Sequence, residues 1–297
     1  MPAQAEFLLL AREAASAAAA VLLTERPFVM AAGASATKSS VSDPVTSADV
    51  AAQQVIADII TRTRPGDAIL GEEGLDRPGD SGWRWIVDPL DGTVNYLYGR
   101  DEWSVSIAVE DPDGALVAGV VVAPALGRTY TAVRGEGCWL DGRRLAVRPA
   151  TDLAKAVIGT GFSYHAATRT VQAAVLSRLL PLVADIRRGG SAALELAGVA
   201  SGRVDAFYEN DLSAWDWAAG ALLAAEAGAI VSELPGPPGQ SGIIAATPAL
   251  AGPLGELLRE GPTGLPWPVS RAARPARICA CASNSGSPNA GWSCPSL

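Results

Sequence analysis

The chain has a single histidine, His165, and four cysteines, of which only Cys138 lies in its body; Cys279, Cys281 and Cys294 sit near the C-terminus. No Cys-x-x-Cys pair occurs. That supply argues against a zinc site of the His/Cys type and against Ser-His-Asp or Cys-His catalysis. His165, in "GFSYHAAT", reads as a loop or surface residue. Any metal chemistry here must therefore rest on oxygen ligands.

The chain also lacks an uninterrupted apolar run of the ~18 residues that a membrane-spanning helix needs. Its opening, "MPAQAEFLLLAREAASAAAAVLL", has no basic leader, and Glu6, Arg12 and Glu13 interrupt it. It reads as an amphipathic helix rather than a signal peptide, so a cytoplasmic protein with no membrane attachment is expected. Positive charge is short as well: 23 Lys and Arg stand against 31 Asp and Glu, a net charge of −8. Nucleic acid is thus not expected as a partner, and an anionic substrate would need local cations.

What is present is an Ala-rich globular composition, 49% apolar and 18% charged over 297 residues. That length fills one large or two small domains. Residues 4–25 read as a helix and 26–42 as a loop. Thr46 or Ser47 caps a helix, "SADVAAQQVIADIITRT", which Pro65-Gly66 ends. Short strands "AIL" and "WRWIV" follow, then a meander over 103–133 with turns at Asp111-Pro-Asp-Gly and Pro124-Ala-Leu-Gly. Beyond residue 150 strands and helices alternate. The expected fold class is therefore α/β, an α+β layered sandwich in two lobes, 1–150 and 151–260. Residues 261–297, rich in Pro, Gly, Ser and Ala, read as a disordered tail, and removal of 265–297 is expected to leave activity intact.

The chemistry concentrates in "WIVDPLDGTVNY", residues 85–96. Pro89 has no N–H, so it is expected to end the strand's ladder and leave Asp88 at the sheet edge. Asp91 follows three residues on, the intervening Leu90 carbonyl can lack a partner, and Gly92-Thr93 can begin a helix whose N–H groups attract anions. Glu72 and Glu73 emerge after another short strand. Asp43 and Asp49 flank "PVTSA", and Asp216 lies between Trp215 and Trp217 at the start of a very apolar helix. If these acids converge, their mutual repulsion demands cations, and hard oxygen donors select Mg²⁺, with Mn²⁺ next.

At these residues the sequence resembles the inositol monophosphatase family of Mg²⁺-dependent, lithium-sensitive sugar phosphatases. Its first signature is matched from Trp85 to Asn95. "WDWAAG" at 215–220 matches the second, and Gly71-Glu72-Glu73 and Lys38-Ser-Ser…Asp43…Asp49 follow the family's order. The resemblance spans about residues 5–260 and implies αβαβα layering, a homodimer and a phosphomonoesterase with two to three Mg²⁺ per site. It implies Glu72, Asp88 and the Leu90 carbonyl at one ion, and Asp88, Asp91 and Asp216 at a second. A third ion would rest partly on Glu72. Thr93, paired with Asp49, would orient and deprotonate the attacking water, and the Gly92 and Thr93 N–H groups would cradle the phosphate. Gly190, Ser191, Ala192 and Glu209 would touch the hydroxyls of a small phosphorylated polyol. Lys38 could add positive charge, and Glu73 is either a ligand or a supporting residue.

Inositol 1-phosphate or a similar polyol monophosphate is the leading substrate. Histidinol phosphate, fructose 1,6-bisphosphate and 3′-phosphoadenosine-5′-phosphate are alternatives within the enzyme class. Only Arg187 and Arg188 could serve a second phosphate, and both read better as an interface between lobes or subunits. Ser213-Ala214 stands where many relatives carry a histidine, which alters the pocket wall. An alternative of another class is a regulatory binding protein that keeps the fold, against which the intact acid cluster argues.

Overall fold

The computed structural model describes residues 3–33, 36–37, 44–234 and 241–259. Lys38, Asp43 and the segment 261–297 lie outside the described residues. The chain begins with helix α1 (Ala3–Ala32), a two-residue ladder β1 (Ala36–Thr37) with β2 (Pro44–Val45), and helix α2 (Ser47–Thr63). Strands β3 (Ala68–Gly71), β4 (Asp76–Arg77) and β5 (Arg84–Asp91) lead to a short helix α3 (Thr93–Leu97). The meander β6 (Ser104–Glu110), β7 (Leu116–Ala123), β8 (Arg128–Val133), β9 (Gly137–Leu140) and β10 (Arg143–Arg144) completes an eight-stranded sheet. Its order is β10-β9-β8-β7-β6-β5-β3-β4, antiparallel except for the β3–β5 pair.

The rest alternates: β11 (Val157–Thr160), α4 (Ala166–Leu179), β12 (Asp185–Arg187), α5 (Ala192–Ala200), β13 (Ala206–Leu212) and α6 (Ala214–Glu226). It closes with β14 (Ile230–Leu234), β15 (Ser241–Ala246) and α7 (Pro248–Arg259). The second sheet has five strands in the order β12-β11-β13-β15-β14.

Strand alternation sets the layers, because successive side chains leave a strand on opposite faces. Trp85 and Val87 of β5, with Val105, Ile107 and Val109 of β6, face α1 and α2 in one core. Ile86 and Ala108 point the other way and meet α5 and α6 in a second core, closed by Phe207, Ile243 and Ala245 of the smaller sheet. Ala206, Tyr208 and Ile244 face outward to α4 and α7 in a third. The result is helix, sheet, helix, sheet, helix, the expected fold class. Small residues let the middle helices approach closely. A Cβ at Gly220 of α6 would lie 2.6 Å from the Leu196 Cβ of α5.

Two local expectations are corrected. The first helix does not stop near residue 25 but continues through Pro27 to Ala32. Buried Leu22 and Val29 hold both sides of the proline, and the Tyr96 hydroxyl donates to the Leu22 carbonyl at 2.6 Å. By composition alone Gln4–Ala32 is long and apolar enough to span a membrane, yet 44% of its most apolar window is buried inside the fold. Pro89 does not end β5, which runs on to Asp91 through a register irregularity: Asp88 pairs with Ser106, and Asp91 with Ser104. Of the two expected cap residues, Thr46 is the one that caps α2, in a capping box with Asp49.

Candidate active site

The irregularity in β5 builds the acidic centre. A Pro in a strand interior removes a ladder donor and is tolerated where the pairing is broken. Here the freed chain turns on itself, and the Leu90 N–H donates to Asp88 Oδ1 at 2.9 Å. The Leu90 carbonyl is not left without a partner, because the Thr93 hydroxyl reaches it at 3.1 Å and Asp49 Oδ1 at 3.3 Å. The other Asp49 oxygen accepts from the Thr46 N–H at 3.0 Å and from the Thr46 hydroxyl. Asp49, Asp88, Leu90 and Thr93 are all buried.

Gly92 links β5 to α3 with φ of 92°, a left-handed conformation that favours glycine. A Cβ there would lie 3.0 Å from the Glu102 carbonyl oxygen and 3.2 Å from that of Gly190. The same approach seats Asp91 against the start of α5. Asp91 Oδ2 accepts from the Ser191 hydroxyl at 2.5 Å and the Ala193 N–H at 2.8 Å, and Oδ1 from the Ala192 N–H at 3.3 Å. Burial still pushes Asp91 up to about 6, against the pull of those bonds.

Asp216 stands at the start of α6 in a capping box with Ser213, whose N–H donates to it at 2.6 Å. Burial, then the charges of Glu72 and Asp91, raise Asp216 well above the usual carboxylate range. Glu209 of β13 is pushed up to about 8, first by burial and then by Asp91, Glu195 and Asp211, with Arg188 opposing. Gly161 makes room for it, since a Cβ there would overlap the Glu209 carboxylate.

These groups open on one cavity of about 310 Å³ between the two sheets. Of the residues expected at the site, Glu72, Asp91, Gly92, Gly190, Ala192, Glu209 and Asp216 line it. Asp49, Asp88, Leu90, Thr93 and Ser191 lie buried directly behind, Ser191 being turned to Asp91. Glu73 is off the cavity; its backbone is held by Gln53, which bonds both the Glu73 N–H and carbonyl. Among the described residues no three Asp, Glu, His or Cys side chains converge as a closed cation cage. Asp91 and Asp216 instead spend their oxygens on helix N-termini.

Sequence reasoning missed part of the wall. Arg188, Asp211 and the loop Ser163–His165 also line the cavity. The loop is tied to β13 through Gln172, which accepts from the Ser163 N–H at 2.9 Å and donates to Asn210 Oδ1 at 2.9 Å. Arg188 is offered by the sequence as a possible phosphate contact but reads better there as an interface residue; no motif marks the others, and Asp211 sits at a register shift in β13, where strand alternation does not predict its face.

Comparison with known proteins is consistent with this geometry. Residues 3–261 match the model of the Inositol monophosphatase family. An inositol-1-monophosphatase of Mycobacterium leprae is 44% identical over 232 residues, covering 74% of this chain and 79% of that protein. A protein of Pasteurella multocida named Nus factor SuhB is 42% identical over 202 residues, covering 67% of this chain and 75% of that one. The solved structure of Mycobacterium tuberculosis SuhB superposes with a TM-score of 0.77 at 38% identity, covering 89% of this chain and 100% of that one.

Proposed function

The chain belongs to the inositol monophosphatase family, a family of phosphatases that generally depends on metal ions, and from that premise we propose that it hydrolyses inositol 1-phosphate, or a similar small polyol monophosphate, with Mg²⁺. The observation that carries this reading is one cavity lined by Glu72, Asp91, Glu209, Asp211 and Asp216, with Arg188 its only lysine or arginine among the described residues. Burial and mutual repulsion already raise several of these acids. A phosphate dianion cannot enter such a site unaided, and all-oxygen donors fit a hard divalent ion.

Glu72, Asp88, Asp91, Asp216 and the Leu90 carbonyl would hold the ions; a carbonyl has two lone pairs, so Leu90 can serve while accepting from Thr93. When bound, such ions neutralise charge on the leaving oxygen and lower the pKa of water. The chain's own groups do the rest. The Thr93 hydroxyl, bridging Leu90 and Asp49, is placed to orient a water and pass its proton toward Asp49. The N–H groups of Gly92 and Thr93 would cradle the phosphate oxygens. Gly190, Ala192 and Glu209 line the same cavity and would contact the leaving group. Lys38 remains a candidate source of positive charge and Glu73 a supporting acid.

The test is phosphate release from inositol 1-phosphate, histidinol phosphate, fructose 1,6-bisphosphate and 3′-phosphoadenosine-5′-phosphate, with Mg²⁺ and with chelator. Turnover of the first that vanishes with chelator is expected, with inhibition by Li⁺; chelator-resistant turnover refutes the metal assignment. The relative named Nus factor SuhB favours a second reading, a regulatory binding role on the same fold. Weak phosphatase activity unchanged by Asp91→Asn would favour it.

A further inference from the structure

We propose that Asp211 is a specificity-determining residue: a second carboxylate beside Glu209 that accepts hydrogen bonds from leaving-group hydroxyls and rejects leaving groups bearing another anion. This rests on the phosphomonoesterase reading of the cavity. Asp211 is the extra residue of a bulge in β13, whose pairing with β15 passes from Asn210 opposite Gly242 to Leu212 opposite Ser241. Its φ is 74°, one of two positive values at non-glycine residues among the described ones. Glycine would sit there without strain, so the side chain, not the backbone, gives aspartate a reason to be there.

That side chain lines the catalytic cavity, and its Oδ1 has no hydrogen-bond partner among the described residues. An unpaired carboxylate oxygen is an open acceptor, and rotation of the side chain would present it to a ligand hydroxyl. Two features hold it at the leaving-group end. It is near enough to Glu209 for its charge to raise that acid. Asn210, its neighbour, is bound through Gln172 to the Ser163 loop that forms the outer wall. Asp49 and Thr93, which would handle the water, are bonded to each other, buried and absent from the cavity lining. Glu209 and Asp211 therefore present adjacent acceptors to whatever the phosphate is attached to. A polyol can donate to both, whereas a second phosphate would meet two carboxylates and only Arg188 in compensation.

The full chain and its Asp211→Gly and Asp211→Asn variants would be compared with Mg²⁺ on inositol 1-phosphate, fructose 1,6-bisphosphate and p-nitrophenyl phosphate. The last has no leaving-group hydroxyl. Asp211→Gly is expected to fold, because glycine suits the backbone. Its KM for inositol 1-phosphate should rise about tenfold relative to that for p-nitrophenyl phosphate, the loss of one bond to a charged acceptor. Its KM for the bisphosphate should fall on the same scale, and Asp211→Asn, which keeps one acceptor oxygen, should lie between. Equal changes on all three substrates, or none, overturn the assignment and leave the phosphatase reading standing. No phosphate release from any of the three substrates by the wild-type chain overturns both.

Discussion

Replacing Asp67 by alanine should loosen the strand that carries the catalytic acids from its far end. Asp67 is buried at 1% exposure and accepts four bonds: Arg64 Nε at 2.9 Å, Arg64 Nη2 at 3.3 Å, the Ser81 hydroxyl at 2.7 Å and the Trp85 indole N–H at 2.9 Å. Arg64 and Ser81 can turn to water when the carboxylate is gone, but Trp85 is fully buried and its indole is left without an acceptor. An orphaned buried donor costs ~1–3 kcal/mol and a lost bond to a charged group somewhat more, so Asp67→Ala should cost ~2–4 kcal/mol. At roughly 2–4 °C per kcal/mol for chains of a few hundred residues, Tm should fall by roughly 4–16 °C.

The pH dependence gives a second reading of the same network. Burial raises the Asp67 pKa, but the bonds from Arg64, Trp85 and Ser81 together outweigh it and hold the carboxyl below 3.8. A depressed acid stabilises the fold above its unfolded pKa and loses that contribution as pH falls through the folded value. Urea unfolding of wild type and Asp67→Ala should therefore show a constant gap from pH 7 to about 5 that narrows below about 4. A gap under about 0.5 kcal/mol at pH 7 would be no more than a surface substitution produces, and would refute the reasoning.

Gly92→Ala forces a Cβ toward two carbonyls in a left-handed conformation; kcat/KM for phosphate release should fall by at least roughly 100-fold through misplacement of Asp91. Ser191→Ala removes the α5 cap and the 2.5 Å bond to Asp91; stability by urea should drop ~1 kcal/mol, and kcat should drop with it, whereas Ser191→Thr should retain most of both. Gly220→Val drives α6 away from Leu196 and should cost ~1–3 kcal/mol of unfolding free energy by urea titration, and Gly220→Ala less.

The acid-bearing half of the site was legible because its physics is local. An apolar strand interrupted by Asp88-Pro89, a cap at Thr46 and Asp49, and an acid opening the apolar α6 each imply structure within a few residues. Pro89 misled because its local rule, that proline ends a ladder, gave way to a register irregularity that only pairing with β6 could supply. Pro27 misled likewise, since burial of Leu22 and Val29 outweighs the lost helix bond. The outer wall was illegible for a different reason. Arg188, Asp211 and the Ser163 loop come together through contacts such as Gln172 to Asn210, 38 residues apart, and no short-range pattern encodes them.

The pairing of Asp91 with Ser191, Ala192 and Ala193 spans 100 to 102 residues of chain. Contacts that distant form only after long loops have closed, so they come late in folding. The α2 cap, by contrast, joins residues three apart and can form as soon as that helix does. Asp91 thus acquires its orientation at the end of assembly. On refolding from denaturant, recovery of phosphate release should lag recovery of helical signal, and the enzyme should behave as a timer for its own completion.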